Sequence, residues 1–446
     1  MSRLPRPATL PAPPPTLGSV TTTAPSSPRA VGATQTVRTT PLGARRTPLL
    51  TLLPAEGALS WVRRGEGLVG WGEADRLEVT GPDALATAAD WWDQRCARTD
   101  VHDPLGVPGS GPVLFGSIAF DPTVGTSVFV VPEVVVGRRD GHTWVTVTGD
   151  AASDDRAVPE FTAQDAAESI GRLAYSDGAL DPMAWCGAVT AAVDRIDAGE
   201  LDKVVLARDL VATADRPLDP RRLLLRLAER FPDTWTFAVD GLLGATPEML
   251  LARTGRTLSA RVLAGTVRRG AGADDQRLAD QLLSSAKDHT EHAYAVDSLA
   301  RAIAPHCAEL DVPAHPSLLT LPNVRHLASD VLGRQRDDDP AGLLELVGAV
   351  HPTAAVCGTP TDRAYRMIAE LEGMDRGRYA GPVGWLDARG DGEFGLALRC
   401  AQLTGEDGGR SARLFAGCGI ISGSDPQAEL AETQAKFAAF QAALED

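Results

Sequence analysis

Between residues 59 and 147 apolar and polar positions alternate in short runs, the two-residue period of strands with one buried face. Ser127–Gly149 predicts a hairpin turning at Asp140–Gly141, and Asp83–Cys96 between the strands has helical spacing. Beyond residue 180 the pattern changes. Three Asp–Pro pairs, at 181–182, 219–220 and 425–426, each open a helix, running to about Ala198, Arg230 and Leu444. One long helix is expected over Asp274–Ile303. Strands are expected at Lys203–Ala212, Trp235–Val239, Arg256–Leu263, Gly384–Asp387, Phe394–Leu403 and Arg413–Phe415. Helices separate these strands irregularly, which predicts a large α+β domain rather than a regular parallel βαβ series. Residues 47–180 form its N-terminal part and 181–446 its second part, with a polar loop over Ala151–Asp165 near the boundary. Residues 1–46 are rich in Pro, Thr and Ser; they read as disordered or as an over-extended start, with order beginning near Pro48.

Composition narrows the function classes. A formal net charge of −16 repels phosphate backbones, so nucleic acid is not an expected partner. The six cysteines are far apart with no C-x-x-C spacing, and read as thiols in a reducing compartment. There is neither a membrane-length apolar run nor a secretory leader pattern, so a cytoplasmic protein with no membrane partner is expected. Of the 43 basic residues only Lys203, Lys287 and Lys436 are lysine. A lysine kept against an arginine background suits work arginine cannot do, such as giving up a proton.

Two helical segments carry paired carboxylates. In SDPQAELAETQAKF, Glu429, Glu432 and Lys436 share one helix face; in AKDHTEH, Asp288 and Glu291 do the same beside Lys287. Each alone is an ordinary solvated face. Together, two such pairs could converge on one divalent cation, and oxygen donors suit magnesium. Lys203 opens KVVLAR and Glu248 stands in a turn, GATPE; a Lys–Glu pair can serve as base and acid when the surroundings adjust their pKa values. Glu248 reads equally well as a turn carboxylate. LAGT (Leu263–Thr266) and AGCGI (Ala416–Ile420) are glycine-containing turns or loops suited to close approach of an anion.

KVVLAR, GATPE, LAGT, KDxxEH, VRHL, HPTAAVCGTP, RYAGPVGW, FGLALRCA, AGCGI and SxPxxELxETxxK occur in an order and spacing that resemble the chorismate-utilising enzymes: isochorismate, salicylate, anthranilate and aminodeoxychorismate synthases. The resemblance covers roughly residues 180–440, with a looser match before it. It implies the fold of anthranilate synthase component I, chorismate as the small-molecule partner, Mg2+ as cofactor and a monomer. It implies that Lys203 activates water for attack at ring carbon C2 and that Glu248 protonates the departing C4 hydroxyl. Glu291 and Glu432 would hold the metal directly, with Asp288 and Glu429 in support. Gly265 and Thr266 would line the pocket beside the ring carboxylate, with His326 close to the substrate. Tyr379 and Arg399 would take the enolpyruvyl carboxylate, and Gly417, Gly419 and Lys436 would complete the anion-binding wall. Burial beside Arg208 or the metal is the expected means of neutralising Lys203.

Within the family, lysine at 203 favours water over ammonia, which relatives with glutamine there use. Ala355 replaces the threonine that salicylate and anthranilate synthases tend to carry, which favours stopping at isochorismate. The reading is therefore an isochorismate synthase. Salicylate synthase, with added pyruvate elimination, is the near alternative, and a non-catalytic chorismate-binding paralogue the distant one. Menaquinone, catechol siderophores and salicylate are all open as downstream products. No GxxxxGK[ST] phosphate cradle occurs, against a magnesium enzyme acting on phosphate esters.

Overall fold

The computed structural model describes residues 35–43, 47–149, 152, 169–270, 272–322, 324–405 and 407–445. Its framework is two large, mainly antiparallel sheets with helices packed against them. The first sheet runs, in spatial order, through Leu173–Asp177, Lys203–Ala214, Ser411–Ile420, Cys400–Thr404, Leu242–Thr246, Trp235–Val239, Leu59–Arg63, Glu66–Trp71, Val134–Arg139, His142–Thr148, Gln35–Pro41 and Thr99–His102. The second runs through Cys307–Asp311, Val324–Gln335, Thr257–Arg268, Met249–Thr254, Gly392–Leu396, Pro382–Asp387, Val113–Ser117, Ser127–Val131 and Asp75–Val79. A continuous core including Trp61, Phe115, Trp185, Phe237 and Phe394 joins residues from both parts of the chain. The division at 180 is thus one of sequence, not of space. Leu59–Arg63 pairs with Trp235–Val239, and Val113–Ser117 with Pro382–Asp387.

The three Asp–Pro helix starts fold as the sequence dictates. Asp181, Asp219 and Asp425 each accept backbone N–H bonds of 2.8–2.9 Å from the first turn, and the following proline occupies a position needing no donor. Asp140 and Gly141 both have positive φ, 49° and 79°, as the expected hairpin turn requires.

Five expectations are corrected. The long helix is two, Ala273–Ser284 and Ala286–Ile303; extended Ser285 divides them because its hydroxyl caps the second helix, accepting from Asp288 N at 3.2 Å. Gln35–Pro41 is a strand inside the segment expected to lack order. Its inward Val37 and Thr39 are buried, and Thr39 Oγ1 bonds Thr146 Oγ1 at 2.9 Å. Residues 1–34 lie outside the described residues, as does the expected loop Ala151–Asp165 apart from Ala152. LAGT and AGCGI are not loops but parts of the strands Thr257–Arg268 and Ser411–Ile420. Ser127–Val131 is no arm of the hairpin. The chain leaves for the other sheet at Pro132, which has no N–H to continue the ladder. Finally, Phe394–Leu403 is not one strand; it crosses between sheets at Ala397–Arg399.

That last crossing organises the molecule. Leu242–Thr246 lies in the first sheet and Met249–Thr254 in the second, so the chain changes sheets at Pro247–Glu248. Beside it, antiparallel, Gly392–Leu396 and Cys400–Thr404 change sheets at Ala397–Arg399. The two crossings are stitched by Leu396 N to Glu248 O (3.2 Å) and Ala245 N to Arg399 O (3.3 Å). Glu248 and Arg399 are therefore presented side by side where neither sheet continues. Arg399 takes φ +50°, a conformation that costs a non-glycine residue about 1 kcal/mol or more and marks functional sites.

Candidate active site

The crossing opens onto a cavity lined by Glu248, Gly265, Thr266, Glu291, His326, Ala355, Tyr379, Arg399, Gly417, Gly419, Glu432 and Lys436, twelve residues singled out from sequence. The other three, Lys203, Asp288 and Glu429, are in the layer behind it. Lys203 Nζ is 3.2 Å from Glu291 Oε1. Asp288 packs against Gly265, and Glu429 is held by Lys287 at 3.0 Å. The open space is about 60 Å³. A larger groove of about 640 Å³, beside Trp61, Trp235 and Arg261, contains none of these residues.

Glu248 is the acid candidate. Its side chain is buried, with a long 3.5 Å contact to Leu263 N. Burial pushes its pKa up to about 8, against the downward pull of that amide, Arg399, Lys203 and Lys436. It is thus protonated at neutral pH and can give a proton away. Lys203 is fully buried, and its Nζ has no hydrogen-bond partner; the contact with Glu291 lacks hydrogen-bond geometry. Arg208 is not its neighbour. Five residues along a regular strand put the two on opposite faces, and Arg208 bonds Thr433 and Gln434 and covers Phe437.

Arg399, His326 and Thr266 form a chain. The guanidinium can only donate, so His326 Nε2 accepts from Arg399 at 3.3 Å and Nδ1 carries the proton toward Thr266 Oγ1 at 2.9 Å. Burial, then the charges of Arg399 and Lys436, holds the His326 pKa well below its ordinary value, so the ring is neutral. Tyr379 stacks on Phe415 at 4.9 Å, and burial raises its phenol, which stays a donor. Thr266 reaches His326 because the ladder slips at Gly265, whose φ of +77° makes a bulge between Ala264 and Thr266.

The strand Ser411–Ile420 contributes backbone. Its pairing with Cys400–Thr404 covers only Ser411–Leu414, so beyond Leu414 that edge faces the cavity. Lys436 Nζ donates to Gly417 O at 2.7 Å, and in a strand the N–H of the same residue points the same way. Any side chain at Gly419 would place its Cβ 2.2 Å from Glu291 Oε1 and 3.0 Å from Lys203 Cε.

The carboxylates come from two helices. Asp288 and Glu291 project from Ala286–Ile303, Glu429 and Glu432 from Pro426–Leu444. Burial raises the Asp288 and Glu432 carboxyls, and neighbouring carboxylates, Glu291 for both, add to the rise. Three are paired with the chain's three lysines: Glu291 with Lys203, Glu429 with Lys287, and Glu432 with Lys436 at 2.6 Å. Among the described residues no three metal-ligating side chains are pre-assembled around a point.

Two residues went unassigned in sequence. Buried Arg376 bonds Glu372, Val356 O and Val205 O (2.8 Å each to the carbonyls), while Glu372 accepts from Ala207 N at 2.7 Å. The pair clamps the loop bearing Ala355 to the strand bearing Lys203. Nothing in DRGRY separates Arg376 from its neighbour Arg378. His292, visible in KDHTEH, fixes the bulge by donating to Ala264 O (3.2 Å) and accepting from Ser329 Oγ (2.8 Å).

A site of this kind on two crossing sheets defines a class, and the chain belongs to the chorismate-binding enzyme family, whose profile matches residues 59–445. It is 38% identical over 340 residues to the isochorismate synthase DhbC of Bacillus subtilis, covering 74% of this chain and 79% of that protein. It is 33% identical over 379 residues to the isochorismate synthase MenF of the same organism, 79% of each chain. The menaquinone-specific isochorismate synthase MenF of Escherichia coli superposes with a TM-score of 0.75 at 25% identity, covering 92% of this chain and 95% of that one. No helix among the described residues is long and apolar enough to cross a membrane, and all six cysteines are free thiols.

Proposed function

We propose that this protein interconverts chorismate and isochorismate. Lys203 takes a proton from water as the oxygen bonds to ring C2, the ring double bonds shift, and the C4–O bond breaks as Glu248 delivers its proton to the departing hydroxyl. Water enters and water leaves, so atoms balance; the acid and base end with exchanged protonation, which solvent resets. The observation that carries this reading is a carboxyl poised at about 8 beside the same cavity as a buried lysine without a hydrogen bond. Arg399, with Tyr379 at hand, would grip the enolpyruvyl carboxylate, and the free edge at Gly417 and Gly419 supports the second anchor.

Hard oxygen donors, crowded carboxylates and the absence of a Cβ at Gly419 fit a magnesium ion held by Glu291 and Glu432 with Asp288 and Glu429 behind. Bound there, it would supply positive charge to fix the ring carboxylate. Chorismate incubated with the protein and Mg2+ and resolved by liquid chromatography should give isochorismate at equilibrium with chorismate, without pyruvate, abolished by EDTA and restored by Mg2+. Salicylate with pyruvate would replace the reading by the two-step reaction, and absence of product would overturn it. Gly419→Ala should cost about 100-fold in kcat/KM with an unchanged circular dichroism spectrum, because the methyl displaces Glu291. Activity within threefold of wild type would contradict the placement of Glu291.

A further inference from the structure

Lys203 and Lys436 have other work in the site: Lys203 is the base, and Lys436 also bonds Gly417 O. Lys287 does not line the cavity, and among the described residues its side chain's one hydrogen bond is to Glu429 Oε1, at 3.0 Å across the two helices that carry the carboxylates. The partners are unequal. The Lys287 side chain is 41% exposed and that of Glu429 only 5%. The lysine can swing into solvent at little cost, whereas the carboxylate cannot follow it and must find another positive partner. The Lys287 charge also reaches Glu291 and Asp288.

We infer that Lys287 is a counter-charge that holds Glu429 until the cation arrives, and that it sets the cation's affinity by competing for that carboxylate. The inference rests on the magnesium reading above. The site holds four carboxylates against three lysines, so without its lysine the metal-free cluster would carry more uncompensated charge and bind a cation more tightly. The choice of lysine follows. An arginine would grip Glu429 with a two-pronged fork and yield it less readily, whereas an ammonium is a single point charge on a flexible stem. The chain has lysine here although 40 of its 43 basic residues are arginine (43 less the three lysines).

The test is calorimetric titration of the metal-free full-length protein with Mg2+ alone, in wild type, Lys287→Met and Lys287→Arg, with Lys287→Gln in place of the methionine variant should that fail to fold. The neutral variant should bind Mg2+ about three- to tenfold more tightly, the range expected from losing a half-exposed pair and stranding a buried carboxylate. The arginine variant should bind it no more tightly than wild type. In EDTA the neutral variant should melt below wild type, and Mg2+ should raise its Tm by more. A folded neutral variant with unchanged or weaker Mg2+ binding overturns the inference while leaving the magnesium reading intact. Wild type that takes up no Mg2+, with or without chorismate, overturns both.

Discussion

Replacing Glu248 by glutamine is expected to lower kcat by roughly 10²–10⁴-fold, the contribution of a positioned general acid, while leaving the protein folded. Glutamine keeps the shape and removes the proton that the proposed step delivers to the C4 oxygen. Wild-type activity should fall as pH rises through about 8, where Glu248 ionises. Stability follows the same group. Its folded pKa of about 8 lies above the ordinary 4.5, so the folded protein holds a proton that the unfolded chain releases between those values. That contribution is complete below about 4.5, declines as pH rises, and is gone above about 8. Lacking it, Glu248→Gln should gain in Tm relative to wild type across that window and hold the gain at higher pH. A variant retaining a tenth of wild-type kcat, or a Tm difference flat between pH 5 and 8, would remove Glu248 from the acid's role.

Lys203→Ala should lose activity on a similar scale, roughly 10²–10⁴-fold, and Lys203→Arg should not recover it. Arginine preserves charge and most of the reach, so an ion pair to Glu291 could survive, but a guanidinium cannot surrender its proton to act as base. The arginine result separates a base from a structural cation. Each protein must be free of host enzyme and checked by circular dichroism, because removing a fully buried lysine also leaves Glu291 unpaired. Activity of Lys203→Arg above a tenth of wild type would assign Lys203 to positioning and leave the base elsewhere.

Much of this site is legible along the chain. The Asp–Pro helix starts announce themselves through local chemistry, and twelve marked residues line one cavity. What sequence did not reveal is where strands change sheets. Leu396 to Cys400 reads as part of one apolar strand, and at Thr246 to Met249 the sequence signals a turn but not that the strand beyond it joins the other sheet. The break at Ser285 is equally quiet, since serine is tolerated within helices and caps only in the right setting. Arg208 is near Lys203 in sequence, yet strand parity turns it to the opposite face. The lysine–carboxylate pairs bridge elements far apart in the chain. Lys287 and Glu429 are 142 residues from one another, beyond any local rule.

The sharing of both sheets by the two parts of the chain bears on recombination between relatives. A crossover near residue 180 looks harmless on a sequence map, yet it exchanges about half of the first sheet and about a third of the second at once. The hybrid must fit Leu59–Arg63 to Trp235–Val239 in one sheet and Val113–Ser117 to Pro382–Asp387 in the other, with Trp61 and Phe237 packed into the same core. Either mismatch leaves an open strand edge of the kind that seeds aggregation. Exchange of a single cavity position such as Ala355, by contrast, leaves the pairing of both sheets intact.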